Sequence, residues 1–185
     1  MRQPTMTYPE YLAFERTSEQ KHEYLRGTVW AMAGGTPSHA RIAANVTAAL
    51  GAALKGRPCA VFSADLRVRV EETDRSTYPD VTVVCRRQLT ASDDPHAIVN
   101  PTVIVEVLSD STEASDRGEK FAHLQHLASL KEYVLVGQKG RRIEVFRRGE
   151  GTSWTLYTFV SGRVDLKSID VFLEVDDVYA DPLGD

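Results

Sequence analysis

Two apolar runs of this chain each carry one acid. YPDVTVV, residues 78–84, opens a row of valines with Asp80, and twenty-six residues after that acid the run TVIVEVL, residues 102–108, sets Glu106 among branched aliphatics. An unpaired polar group in an apolar interior costs about 2–7 kcal/mol, and an ionised carboxylate more, so each acid needs a cation, a hydrogen-bond network or a chemical task. If the runs are neighbouring antiparallel strands, Asp80 at the start of one and Glu106 near the end of the other meet at the same end of a sheet, within reach of one shared ion. Two carboxylates that close cannot both stay ionised unassisted, because like charge and burial each raise a carboxyl pKa. A hard divalent cation, magnesium or manganese, would resolve the conflict through oxygen ligands. The competing use is structural: an acid at a strand edge bonded to backbone amides or to an arginine.

Two further side chains could join this chemistry. Lys120 falls one turn into the helix expected after the second acidic run, and a helix packed back on the sheet would bring its ammonium to the acids, where it could orient a water or stabilise charge on a phosphate. On its own it reads as a solvated lysine on a helix flank. Asp116, four residues earlier, reads as the cap of that helix. His39 lies in the first turn of an earlier helix, on the face of Ile42 and Val46, and so points toward the sheet; a core histidine is the competing reading.

The elements that must position these groups follow from periodicity. Thr7-Tyr-Pro-Glu10 has capping-box spacing with proline in the first turn, predicting a helix to about Arg16. HEYLRGTVWAM predicts a hairpin turning at Arg26-Gly27. Ile42, Val46, Ala49, Leu50 and Ala53 recur at helical spacing from a start at Thr36-Pro37 to a stop at Gly56 and Pro58. From Ala60 to Val70 the alternation has period two, predicting one strand with Val68 and Val70 on its buried face and Asp65, Arg67 and Arg69 on its polar face. The acidic runs predict central strands, apolar on both faces. Phe121, Leu124, Leu127 and Ala128 mark the next helix, ending near Leu130, and EYVLVG, RIEVFRR, SWTLYTFV and a short VDL segment read as strands. This order predicts an α/β fold in which helices flank a mixed sheet, with an N-terminal helix and hairpin and C-terminal strands, in one domain over residues 1–185.

Composition narrows the partners. With 42% hydrophobic and 26% charged residues, the chain has neither the polarity of a disordered segment nor the apolarity of a membrane protein. Its longest apolar runs are of strand length and MRQPTMTYPEY lacks a signal-peptide core, so a cytoplasmic protein without membrane attachment is expected. A net charge of −4 argues against coating nucleic acid through bulk charge. It leaves room for a local basic face, with Arg67, Arg69, Arg86, Arg87, Arg141, Arg142, Arg147 and Arg148 as candidates. Cys59 and Cys85 are too few for a disulfide framework and are expected as buried free thiols.

Taken together, HEYLRG, SHARIAANVTAAL, SADLRV, YPDVTVV, NPTVIVEVLSDST, DRGEKFAHL and KEYVLV resemble the Uma-two family of restriction endonucleases, within the PD-(D/E)XK nuclease superfamily. The resemblance implies a restriction-endonuclease-like core, with Pro79-Asp80 and Glu106 as the motif acids. The superfamily pattern would place a lysine two residues after the glutamate, where this chain has Leu108. Related families move it to the following helix, and Lys120 in DRGEK is the matching position. Glu23 in HEYLRG matches a recurrent acid, and Asp65 in SADLRV is a weaker candidate. The implied activity is Mg2+- or Mn2+-dependent hydrolysis of DNA, with Asp80, Glu106 and the Val107 carbonyl holding the metal, Glu23 adding to the shell, and a homodimer as the working form. Two competing readings are a catalytically inactive nucleic-acid- or protein-binding module that keeps the fold, and a hydrolase of smaller phosphate esters.

Overall fold

The structure, a computed structural model, describes residues 5–32 and 34–184. Helix α1 (Tyr8–Glu15) begins with the predicted capping box: the Thr7 hydroxyl accepts the Glu10 N–H while the Glu10 carboxylate accepts the Thr7 N–H. Tyr8, Tyr11 and Leu12 bury against Tyr24. Strands β1 (His22–Leu25) and β2 (Thr28–Ala31) form the expected hairpin. Its turn has φ of 47° at Arg26 and 91° at Gly27, the two successive positive values of a type I′ turn, which matches strand twist. Helix α2 (Pro37–Ala53), capped by the Thr36 hydroxyl, buries Ile42, Val46 and Leu50.

The chain then passes back and forth between two sheets. Strands β3 (Cys59–Ser63), β6 (Val81–Cys85), β8 (Val103–Leu108), β9 (Glu132–Gly137), β10 (Ile143–Arg148) and β11 (Trp154–Phe159) build a six-stranded sheet in the order β11-β10-β9-β8-β6-β3. Strands β4 (Arg67–Val70), β5 (Arg75–Thr77) and β7 (Ala97–Ile98) join the hairpin in a five-stranded sheet, β2-β1-β5-β4-β7. In the larger sheet β8 and β9 are parallel, and their crossover carries α3 (Glu113–Ser115), a π turn (Asp116–Lys120) and α4 (Phe121–Leu124) in direct succession. Strands β12 (Arg163–Leu166) and β13 (Val171–Glu174) pair with each other, and α5 (Val175–Val178) follows.

The period of two along β8 sorts its side chains. Val103, Val105 and Val107 pack on the α2 side with Val46 and Leu50; Ile104 and Leu108 pack on the other side with Phe121, Leu124 and Tyr133. Each fully buried valine or leucine stabilises the fold by about 1.5–3 kcal/mol relative to exposure. Glu106 shares the face of Ile104 and Leu108, so its carboxylate lies on the side of the crossover helix. Among the described residues no helix is long and apolar enough to cross a membrane.

Three expectations are corrected. Residues 60–70 form two strands in different sheets, because the chain turns at Ala64-Asp65; the alternation persists because β4 also buries Val68 and Val70, against the second core. Arg67 and Arg69 do not lie on an exposed basic face. Arg69 is 3% exposed, its guanidinium carbon 3.6 Å from the centre of the Tyr8 ring, and Arg67 is held between Asp94 and Tyr78. Finally, Cys59 and Cys85 are not free: they face each other in register on β3 and β6 and are disulfide-bonded. That register depends on how the strands pair, which spacing alone does not reveal.

Candidate active site

Tyr78-Pro79-Asp80 is the span where the chain leaves β5 in one sheet and enters β6 in the other. Val81 pairs with Val105 in antiparallel β6 and β8, so one further step along the register sets Asp80 opposite Glu106. The ladder stops there. Pro79 has no N–H to offer it, and the Asp80 carboxylate takes the N–H of Val107 at 2.7 Å. The two acids of the apolar runs therefore meet at the junction of the sheets, on the floor of a cavity of about 450 Å3.

Glu23 enters from the other sheet. It is buried on β1, where the Arg75 guanidinium donates to it at 2.9 Å and the Thr77 hydroxyl also donates to it. From the crossover helix come Lys120 and Asp116, both buried. The Lys120 ammonium lies 2.7 Å from Glu106 Oε1, 3.2 Å from Glu23 Oε1 and 3.6 Å from Asp116 Oδ1. A π turn, the helical irregularity that recurs at functional sites, spans both residues. The hydroxyl of buried Tyr133 donates to the Asp116 carbonyl at 2.9 Å, fastening the start of that turn to the sheet. His39, on the first turn of α2, sets Nε2 3.3 Å from Asp80 Oδ2.

The charges do not balance. Four carboxylates, Glu23, Asp80, Glu106 and Asp116, share this space with two permanent cations, Lys120 and Arg75. Burial pushes the Glu106 carboxyl well above its usual range, against the pull of Lys120 and with Asp116 and Asp80 pushing the same way. Burial likewise raises Asp116, only partly offset by Lys120. Burial disfavours the Lys120 ammonium, but Glu106, Glu23 and Asp116 more than compensate and hold its pKa above the ordinary lysine value. Burial also works against the Glu23 carboxylate, yet Lys120 and Arg75 keep its pKa below the usual one. The hydrogen bond to Asp80 raises His39 despite its partial burial. Although Glu106 Oε1 sits within ion-pair distance of Lys120, it has no well-aligned hydrogen-bond donor.

This donor set fits a hard divalent cation. The oxygens belong to carboxylates and a backbone carbonyl, the ligand type magnesium and manganese take, and the excess of negative charge is what such an ion would neutralise. Among the described residues no three His, Cys, Asp or Glu side chains already stand in ligand geometry. A shell built on two side chains, Asp80 and Glu106, with the Val107 carbonyl and water does not require a third.

Of the residues singled out in the sequence, Glu23, His39, Asp80, Glu106, Val107 and Lys120 all line this cavity. Asp65 does not: it sits in the exposed turn between β3 and β4, bound to Lys21. Asp116 is no mere cap, since the helix begins three residues earlier and carries Asp116 into the cluster. The signal for it was its spacing of four from Lys120, which puts the pair on one helix face. Arg75 and Thr77 were not anticipated, because β5 is too short to show a period.

Comparison with known proteins agrees with this architecture. Residues 8–176 match the family model Uma2, described as "Putative restriction endonuclease". An uncharacterized protein of Synechocystis sp. is 34% identical over 177 residues, covering 95% of this chain and 92% of the relative. A second from the same organism is 28% identical over 162 residues, covering 88% and 92%. A crystal structure from Anabaena variabilis, described as a "putative nuclease belonging to DUF820", superposes with a TM-score of 0.76 at 18% identity, covering 94% of this chain and 97% of the other. At that identity the likeness shows a shared fold.

Proposed function

The chain belongs to the Uma-two family, described as "Putative restriction endonuclease", and from that premise we propose that it hydrolyses phosphodiester bonds of DNA with magnesium or manganese. The observation that carries the reading is the charge imbalance: three buried carboxylates, Glu23, Glu106 and Asp116, surround one lysine, with a fourth, half-buried Asp80, beside them in the same cavity. Asp80, Glu106 and the Val107 carbonyl would hold the cation, and Glu23 stands near enough to Lys120 to share its charge. When bound, the ion supplies a Lewis acid for the phosphate and a lowered pKa for water.

The chain's own residues do the rest. Lys120 remains an ammonium among its acids and offers charge to a phosphate oxygen or a hydrogen bond to the attacking water. Arg75 and Thr77 fix Glu23, so the Lys120 ammonium keeps its place between two acids from different sheets. The Val107 N–H and His39 hold one oxygen of Asp80 in place. Tyr133 anchors the π turn that carries Asp116 and Lys120.

The direct test incubates purified protein with plasmid and with single-stranded DNA in Mn2+, against chelator and Asp80→Ala controls. Cleavage that needs both the metal and Asp80 is the expected result; no difference between wild type and variant would remove the enzymatic reading. The Lys120–Glu106 contact of 2.7 Å favours a second reading, in which the acid is neutralised internally and the fold serves only to bind. That reading predicts nucleic-acid binding indifferent to Asp80→Ala.

A further inference from the structure

Trp30 stands apart from the other large side chains of its sheet. It belongs to none of the three apolar clusters, yet it is half-buried and forms part of the wall of the acidic cavity. On the hairpin it is the direct cross-strand partner of Glu23, so the two side chains share a face of the sheet. The Arg75 guanidinium carbon lies 5.6 Å from the centre of its ring, on the electron-rich π system. A tryptophan with no core to fill, set beside the carboxylates, is the kind of surface on which a nucleobase stacks.

The remaining walls argue about strandedness. Glu106, Lys120 and Glu23 are 3%, 5% and 7% exposed, so a reacting phosphate must come down into the cavity to reach them. A volume of about 450 Å3 is in the range of pockets that enclose a small ligand, roughly 300–1,000 Å3. An intact duplex keeps its bases stacked inside and is held from outside by runs of free Lys and Arg. Among the described residues that line the cavity, Lys120 and Lys139 are the only Lys or Arg side chains, and Lys120 is surrounded by acids while Lys139 sits on the exposed rim beside Asp110. Instead Ser109, Ser111 and Thr112 line it with hydroxyls, neutral donors suited to a sugar or phosphate.

We propose that Trp30 is a base-stacking, specificity-determining residue, and that the site takes a nucleotide already out of the stack, in a single strand or an unpaired end, in preference to an intact duplex. The inference rests on the proposed hydrolysis of nucleic acid and specifies the form in which that substrate enters.

The test follows full-length protein in Mn2+ with a short thymidine oligonucleotide, its phosphorothioate analogue and a hairpin duplex of matching length. Tryptophan fluorescence reports binding of the phosphorothioate strand, and cleavage of the unmodified strand and the duplex reports turnover. The wild type is expected to show quenching by the single strand and to cut it faster than the duplex. Trp30→Phe should lose the quenching, because only Trp154 then remains, while keeping the strand preference. Trp30→Ala should bind the single strand roughly tenfold more weakly, the scale of one lost base–aromatic stack.

Cleavage that favours the duplex, or a strand preference unchanged in Trp30→Ala, would overturn the inference and leave the hydrolytic reading standing. Trp30-dependent quenching without any cleavage would uphold the stacking role and remove the hydrolytic reading. Absence of both would remove both.

Discussion

Two buried networks of the same residue types lie on either side of Tyr78, and they differ in whether their buried carboxylate oxygens all have hydrogen-bond donors. On one side Arg67 donates to Asp94 at 2.7 Å and to the Tyr78 hydroxyl at 2.8 Å, and that hydroxyl donates to Glu15 at 2.9 Å. Asp94 also accepts from Tyr8 and from the His96 N–H, while Glu15 accepts from the His22 N–H. Every buried polar atom of Arg67, Asp94, Glu15 and Tyr78 has a partner. On the other side, Glu23, Asp80, Glu106 and Asp116 outnumber their cations, and Glu106 keeps an oxygen without an aligned donor. A saturated network stiffens a fold, whereas a half-answered one stores a demand for a ligand. Titration follows the same division. Burial opposes the Asp94 carboxylate, but Arg67 and the His96 N–H overcome it and hold its pKa below the usual value. In Glu106 burial wins and the pKa rises.

The same acid-to-amide change should therefore act oppositely in the two places. Glu106→Gln is expected to lower metal-dependent cleavage by about 10³-fold, the scale on which a transition-state charge stabiliser is lost. Its thermal midpoint should hold or rise, since the change relieves a buried repulsion. A large loss of stability would mean that Glu106 belongs with the structural network. Asp94→Asn should do the reverse, costing about 2–3 kcal/mol in urea unfolding because the buried guanidinium loses a charged partner, with Mn2+ binding by calorimetry unchanged.

Mn2+ at a hundred times its dissociation constant should stabilise the wild type by about 2.7 kcal/mol. The same shift is expected in Asp94→Asn and none in Glu106→Gln; equal shifts in all three would place the ion elsewhere. The smallest effect concerns pH. Asp94 has a depressed pKa, so its contribution is complete above the unfolded value of about 3.9 and is lost as pH falls through the lower folded value. Unfolding free energy measured from neutral to acid pH should drop more steeply below about pH 4 in the wild type than in Asp94→Asn.

Much of the candidate site was legible because it rests on local patterns. The apolar runs around Asp80 and Glu106 marked two central strands, and antiparallel pairing of those strands sets both acids at one end of the sheet. Helical spacing carried His39 toward the sheet and Lys120 toward the acids. Residues whose fate depended on a change of sheet were misread. Asp65 and Arg67 follow one unbroken alternation, yet a turn at Ala64-Asp65 sends Asp65 to solvent and Arg67 into the Asp94 network. Trp30 reaches the cavity wall only through the packing of the hairpin.

From the sequence by itself came the longer helices and strands in their order, the acids interrupting two apolar runs, and the helix faces of His39 and Lys120, because the backbone repeats of 2 and 3.6 residues are local properties. Only the tertiary structure decided which charges are answered: that Arg67 meets Asp94, that Glu23 crosses from one sheet to Lys120 on another element, and that Cys59 faces Cys85. Electrostatic energy and covalent cross-linking depend on separations of a few ångströms between residues far apart in the chain. Those separations are set when the sheets pack, not when the strands form.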